Sequence, residues 1–219
     1  MQAAAETIYD YIYLQTRGEL KKELITYLRH KKKNRNPRPA KNEKRGKLSD
    51  ITPIKERPQE VADRAVPGHW EGDLIIGKDH KNALLTIVER STRYVIIKRL
   101  DRYDALTVRE AIQSKMKSLP DGLAKTLTWD QGKEMAQHKQ FTIKTGIQVY
   151  FCDPASPWQR GTNENTNMLI RDFLPKGTDF NLVSHQQIAF IQHALNERPR
   201  LTLGHVTPKD ALNSLILNA

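Results

Sequence analysis

The stretch His69–Leu100 reads HWEGDLIIGKDHKNALLTIVERSTRYVIIKRL. Glu71–Ile76 has the short apolar run of a strand, and the polar Gly77–Asn82 reads as a turn. Ala83–Glu89 is a second strand, Ser91–Arg93 turn the chain, and Tyr94–Leu100 is a third. Three strands joined by short connections make an antiparallel meander. Beyond it the period changes. Ala105, Val108, Ile112 and Met116 fall at helical spacing, and Pro120-Asp121-Gly122 closes that helix. Lys125–Trp129 is a short strand, Lys133–Thr145 a helix stopped at Gly146, and Ile147–Cys152 another strand. The order β-β-β-α-β-α-β predicts an α/β fold. Its mixed five-stranded sheet combines the antiparallel meander with parallel additions, and helices cover both faces. A loop over Asp153–Gly161 leads to a helix from about Thr162. Leu182–Asn196 is a further helix, and Thr207 caps a last one with Pro208 at its first position.

Upstream, Ile8, Tyr11 and Ile12 suggest a short helix over residues 3–14, and Leu20, Leu24, Tyr27 and Leu28 a second over Glu19–Arg29. Neither can form a core alone. Residues 30–60 are rich in Lys, Arg, Asn and Pro and read as an extended linker. Residues 1–60 are therefore expected to be a basic helical and extended arm, and residues 61–219 the main domain. The net charge is +11, and Arg17–Lys47 holds 13 Lys or Arg against three acids, so nearly all of the excess sits in the arm. Such a block is a footprint for a polyanion. Lys31, Lys32, Lys33, Arg35 and Arg38 are its central candidates for phosphate contact.

The remaining composition narrows the classes. Hydrophobic residues make up 38% and charged residues 28%, enough for a packed core. The single cysteine, Cys152, excludes an intramolecular disulfide and a Cys-based metal site. It is expected as a small buried residue at a strand end. No apolar run reaches the roughly 20 residues of a membrane span. The start, MQAAAETIYD, lacks a secretion signal. A cytoplasmic chain without a membrane partner is expected.

Three acids stand out. Asp73 lies inside an apolar strand, where a carboxylate is costly unless paired, protonated or metal-bound. By alternation it shares a face with Glu71 and Ile75. Asp130 follows a strand, where ligands collect in open α/β sheets. Glu164 falls in the first turn of a helix, with 33 residues between it and Asp130. Each alone has a simpler account: an ion-pair partner, a helix cap, and a residue favouring a helix dipole. Together they can meet at one sheet edge. Carboxylates suit hard cations such as Mg²⁺, which also take substrate phosphate. Two ions roughly 4 Å apart serve an in-line phosphoryl displacement. Arg171, two turns beyond Glu164, would hold a phosphate from the same helix face.

The segments HWEGD, TWDQGKEMAQH, DPASPWQRGTNENTN and PKGTDF resemble the integrase-type catalytic core of bacterial insertion-sequence transposases, above all the IS-thirty group. GELKKELITYLR and LNERPRLTLG extend the resemblance over nearly the whole chain. It implies an RNase H-like fold and an Asp-Asp-Glu triad, which falls by position on Asp73, Asp130 and Glu164. It also implies two Mg²⁺ or Mn²⁺ ions, and metal-dependent cleavage at terminal inverted repeats followed by strand transfer. The partners implied are double-stranded DNA, as transposon ends and as target, and further copies in a homo-oligomer. Arg171 matches the basic residue after the glutamate. Trp70 matches the first motif and is expected in the core. Asn163 and Asn165 flank Glu164 in the NEN motif, in supporting roles. Gln131 stands where the family usually has Asn. The family's N-terminal helix-turn-helix module has no counterpart here, so a truncated chain is expected. A catalytically silent DNA-binding remnant that interferes with full-length transposase, and a simple nuclease, are the alternatives.

Overall fold

The computed structural model describes residues 19–27, 48–61, 64 and 66–217. The chain divides into two units, residues 1–45 and residues 46–219. In the first, α1 (Glu19–Tyr27) is a nine-residue helix within the expected Glu19–Arg29, whose last two residues lie outside the described residues. The expected helix over residues 3–14 and the central basic candidates Lys31, Lys32, Lys33, Arg35 and Arg38 lie outside the described residues.

The second unit is built on one sheet. Its strands are β1 (His69–Ile76), β2 (Ala83–Glu89), β3 (Val95–Leu100), β4 (Thr126–Trp129) and β5 (Gln148–Phe151). Their spatial order is β3-β2-β1-β4-β5. β1 runs antiparallel to β2, and β2 to β3; β4 lies parallel to β1, and β5 to β4. The central strand β1 is thus where the meander gives way to the parallel half. This is the mixed five-stranded sheet that the pattern predicts.

Helices cover both faces, and the alternation of β1 assigns each residue. Trp70 packs with Leu85, Ile87, Leu127 and Trp129 against α2 (Ala105–Lys117) and α3 (His138–Thr145). Trp70 is fully buried and donates its indole N–H to the Leu123 carbonyl at 2.7 Å. Glu71, Asp73 and Ile75 face the other way. Ile75 joins Leu84, Val88 and Val95 under α4 (Gly161–Phe173) and α5 (His185–Asn196). The last helix, α6 (Pro208–Leu217), packs on α5. Asp104 caps α2 and Ser184 caps α5, each accepting from the backbone N–H three residues on. Gly146 ends α3 at φ 73°, a left-handed turn that glycine adopts without Cβ strain.

One expectation changes. Residues 48–60, read as linker, lie against the sheet. Leu48 and Ile51 pack on the α2/α3 core, and Pro53 bridges to Phe151. The Phe151 N–H donates to the Thr52 carbonyl at 2.9 Å. The segment therefore covers the β5 edge, which would otherwise leave its backbone unpaired. Polar composition concealed this, because the edge is covered partly by main-chain bonding and only a few apolar side chains anchor the segment. The helix expected over Lys133–Thr145 also divides, with a 3-10 turn at Lys133–Met135 before α3.

Candidate active site

The parallel register explains why two distant acids meet. Glu71 pairs with Thr128, so continuing by two residues sets Asp73 level with Asp130, just past the end of β4. At Gly72, between Glu71 and Asp73, the Trp129 ring occupies the space a Cβ would need. The Asp130 carboxylate accepts from the Gly132 N–H at 2.9 Å, which fixes the turn out of β4. The Gln131 amide donates to the Cys152 carbonyl at 3.0 Å, tying this turn to the end of β5.

Between the two acids stands a buried cation. Arg160, on the turn before α4, places Nη1 3.1 Å from the Asp73 carboxylate and Nη2 3.5 Å from that of Asp130. The same Nη1 donates to the Gly72 carbonyl at 2.8 Å. Arg160 is 8% exposed. Burial acts to lower its pKa, but the carboxylates of Asp73 and then Asp130 outweigh burial and hold it above the ordinary value. For Asp73 burial dominates in the opposite sense. Its carboxyl is pushed above the usual range in spite of Arg160, with Asp130 adding to the rise.

α4 supplies the rest. The Asn167 amide donates to the second Asp73 oxygen at 2.9 Å. Asn163 is fully buried and fastens α4 to the sheet: its side chain donates to the carbonyls of Glu71 and Thr86, and its backbone N–H donates to the Glu71 carboxylate at 2.9 Å. Thr86 bonds both asparagines. Glu71, also fully buried, is ion-paired with Arg90. It is therefore a structural acid, although it shares the strand face of Asp73.

Glu164 lies in the first turn of α4, one turn from both Arg160 and Asn167, and so on the side that meets Asp73. It is exposed and forms no ion pair among the described residues. The structure thus joins Asp73 to Asp130 through Arg160 and leaves Glu164 beside them. Among the described residues no group of three or more Asp, Glu, His or Cys could hold a metal ion as it stands. One guanidinium balances one carboxylate fully and a second in part. A third drawn in without another cation would meet like charge.

Two site neighbours went unrecognised as candidates in the sequence, and their signal was helical spacing: Arg160 and Asn167 sit four before and three after Glu164. A third, Glu134, follows Asp130 by four residues. It accepts from the Trp129 indole N–H at 3.2 Å, and burial, then the nearby Asp130, raises its carboxyl pKa. Arg171 shares the helix side of Glu164 and Asn167, but its guanidinium donates to the Ile76 carbonyl at 2.8 Å and lies over the Phe180 ring. Asn165 is exposed and turned away from the carboxylates, into a separate pocket. Cys152 is buried at the end of β5, and its thiol is pushed up to about 11, chiefly by burial.

The model of the integrase core domain matches residues 63–157, which include β1 to β5, Asp73 and Asp130. Residues 63–157 are thus similar to an integrase core. The relationship to transposases runs beyond it. The chain is 44% identical over 218 residues to the transposase for insertion sequence element IS1086 of Cupriavidus metallidurans, covering 100% of this chain and 64% of that one. It is 43% identical over 215 residues to the transposase InsI for element IS30A of Escherichia coli, covering 97% and 56%. The chain therefore spans 56–64% of the length of these relatives. Among solved structures, the catalytic core domain of BIV integrase aligns with a TM-score of 0.54 at 19% identity, over 69% of this chain and 97% of that one. A simian T-cell lymphotropic virus intasome chain aligns at 0.55 and 19%, over 65% and 53%. At that identity the likeness concerns the fold, which is that of retroviral integrase cores. No described helix is long and apolar enough to cross a membrane.

Proposed function

We propose that this chain is the catalytic part of a transposase that cleaves DNA at the terminal inverted repeats of an insertion sequence and joins the freed ends to target DNA. The observation that carries the reading is the meeting of Asp73, on β1, with Asp130, just past the end of the parallel strand β4, with Glu164 one helical turn from the two α4-side residues that hold Asp73.

The donor set suits a hard divalent ion. Mg²⁺ is commonly held by one or two carboxylates together with waters and substrate phosphate. Arg160 already marks the space between Asp73 and Asp130 as one that favours positive charge. Asp73 and Asp130 would hold Mg²⁺ or Mn²⁺, with Glu164 completing the set, two ions in all. When bound, such ions polarise the phosphoryl group and stabilise the attacking and leaving oxygens. The chain's own groups do the positioning. Asn167 fixes one oxygen of Asp73, the Gly132 N–H fixes one of Asp130, and Asn163 anchors the helix bearing Glu164. Gln131 steadies the turn of Asp130. Lys31, Lys32, Lys33, Arg35 and Arg38 supply sequence-independent phosphate contacts from the arm. Arg171 would reach a phosphate only by exchanging its bond to Ile76. Joining two ends calls for a homo-oligomer.

The test is a strand-joining assay. The purified chain is mixed with a labelled duplex from the DNA flanking its own gene, plasmid target and Mg²⁺ or Mn²⁺, beside Asp130→Asn. Metal-dependent joined product that is absent with Asp130→Asn supports the reading. DNA binding with no cleavage by either protein would support the silent remnant instead.

A further inference from the structure

We propose that Trp158 is a stacking platform for a nucleobase of the bound DNA, close to the reacting phosphate. This rests on the DNA reading above. The chain has three tryptophans. Trp70 and Trp129 are fully buried, whereas Trp158 is 70% exposed. Tryptophan is highly buried on average, so a ring left in water calls for a local reason.

The exposure is built into the turn that carries the ring. Trp158 lies on the 3-10 turn Pro157–Arg160, which leads into α4. Its neighbours are fixed. The Gln159 side-chain oxygen accepts the Asp153 N–H at 2.8 Å, and its amide donates to the Asp153 carboxylate at 3.0 Å. Arg160 is held by Asp73, Asp130 and the Gly72 carbonyl. The Trp158 carbonyl itself accepts the Gly161 N–H. With three residues per turn, side chains two residues apart differ by about 120° in direction. Arg160 points in to the carboxylates, and the same turn therefore carries Trp158 outward.

The position and the chemistry select a base. The arginine of this turn touches both Asp73 and Asp130, so a strand held at those carboxylates passes beside it. Two residues span at most about 7 Å of chain. At about 3.4 Å of rise per nucleotide, that is about two nucleotides from the reacting phosphate. Ser156, Pro157 and Gln159 are half-buried and Arg160 is buried, so the turn offers one flat ring. Every base has a π-face, so such a ring receives a base whatever the sequence.

The test uses the full chain and a labelled duplex from the DNA flanking its own gene. Acrylamide quenching of tryptophan emission reads Trp158, because Trp70 and Trp129 are fully buried. DNA should shield that emission from acrylamide. Trp158→Leu should weaken binding roughly 5- to 150-fold, the equivalent of one lost base–aromatic stack, whereas Trp158→Phe should keep most of the affinity. The slope of log affinity against log salt should stay the same in Trp158→Leu, since no phosphate contact is lost. Its melting temperature should also stay the same, since the ring is exposed. DNA binding, shown by anisotropy, that leaves the acrylamide-accessible emission unchanged would overturn the proposal. Shielding with no loss of affinity in Trp158→Leu would overturn it too. Shielding that follows protein concentration alone, without DNA, would assign the ring to a second copy of the chain instead. The Asp130→Asn comparison separately decides the catalytic reading, and a wild-type chain that binds no DNA would overturn both.

Discussion

Replacing Arg160 by Gln removes the cation that bridges Asp73 and Asp130. Arg160 has 9% of its side chain exposed, a 3.1 Å contact to Asp73 and a 2.8 Å bond to the Gly72 carbonyl. Removing one partner of a buried pair costs about 3–5 kcal/mol, because the other charge is left uncompensated. Asp130 is 44% exposed and its contact is 3.5 Å, so solvent carries much of its share, and the lower figure of about 3 kcal/mol applies. In a chain of this size each kcal/mol moves the melting temperature by about 2–4 °C, so Arg160→Gln should melt about 6–12 °C lower in EDTA. A divalent ion at about 100 times its dissociation constant returns about 2.7 kcal/mol, so Mg²⁺ or Mn²⁺ should largely close the gap. Acid should close it too. The Asp73 carboxyl already lies above its ordinary value and would rise further without Arg160. A carboxyl raised on folding contributes stability that is complete below its unfolded value of about 3.9 and is lost as pH rises through the folded one. The deficit of the variant is thus widest at neutral pH and shrinks on acidification. Thermal melts with EDTA and with metal, at several pH values, provide the measurement. Equal melting of both proteins in EDTA at neutral pH would refute the reasoning, as would metal stabilising both alike.

Asn163→Ala strips three side-chain hydrogen bonds from a fully buried position and leaves the Glu71 and Thr86 carbonyls without that donor. Each such orphan costs about 1–3 kcal/mol, so the melting temperature should fall clearly, and hydrogen exchange should show α4 loosening first. Gly72→Ala would drive a methyl group into the Trp129 ring, with an overpacking cost of about 1–3 kcal/mol; a denaturant titration checks it. The Cys152 thiol, pushed up to about 11 and buried, should resist alkylation at pH 8 until the protein unfolds, as mass spectrometry of native and denatured samples would show.

Much of the fold was legible because its signals are local. The turns at Gly77–Asn82 and Ser91–Arg93 separate three apolar runs, and Asp104, Ser184 and Thr207 cap helices through bonds spanning three residues. The three acids could likewise be singled out, since a carboxylate within an apolar strand, one at a strand end and one opening a helix are unusual positions in any one sequence. What sequence could not supply was the relation among segments. Strand register brings Asp73 level with Asp130 across 56 intervening residues. Tertiary packing made Arg160 their shared partner, and made Glu71 a buried anchor although alternation gave it the same strand face as Asp73. Packing also put residues 48–57 over the β5 edge and turned Asn165 into an arginine-lined pocket. A side chain's type and spacing determine what chemistry it can do; which charge stands 3 Å away, and how much water separates them, is decided only when distant segments pack.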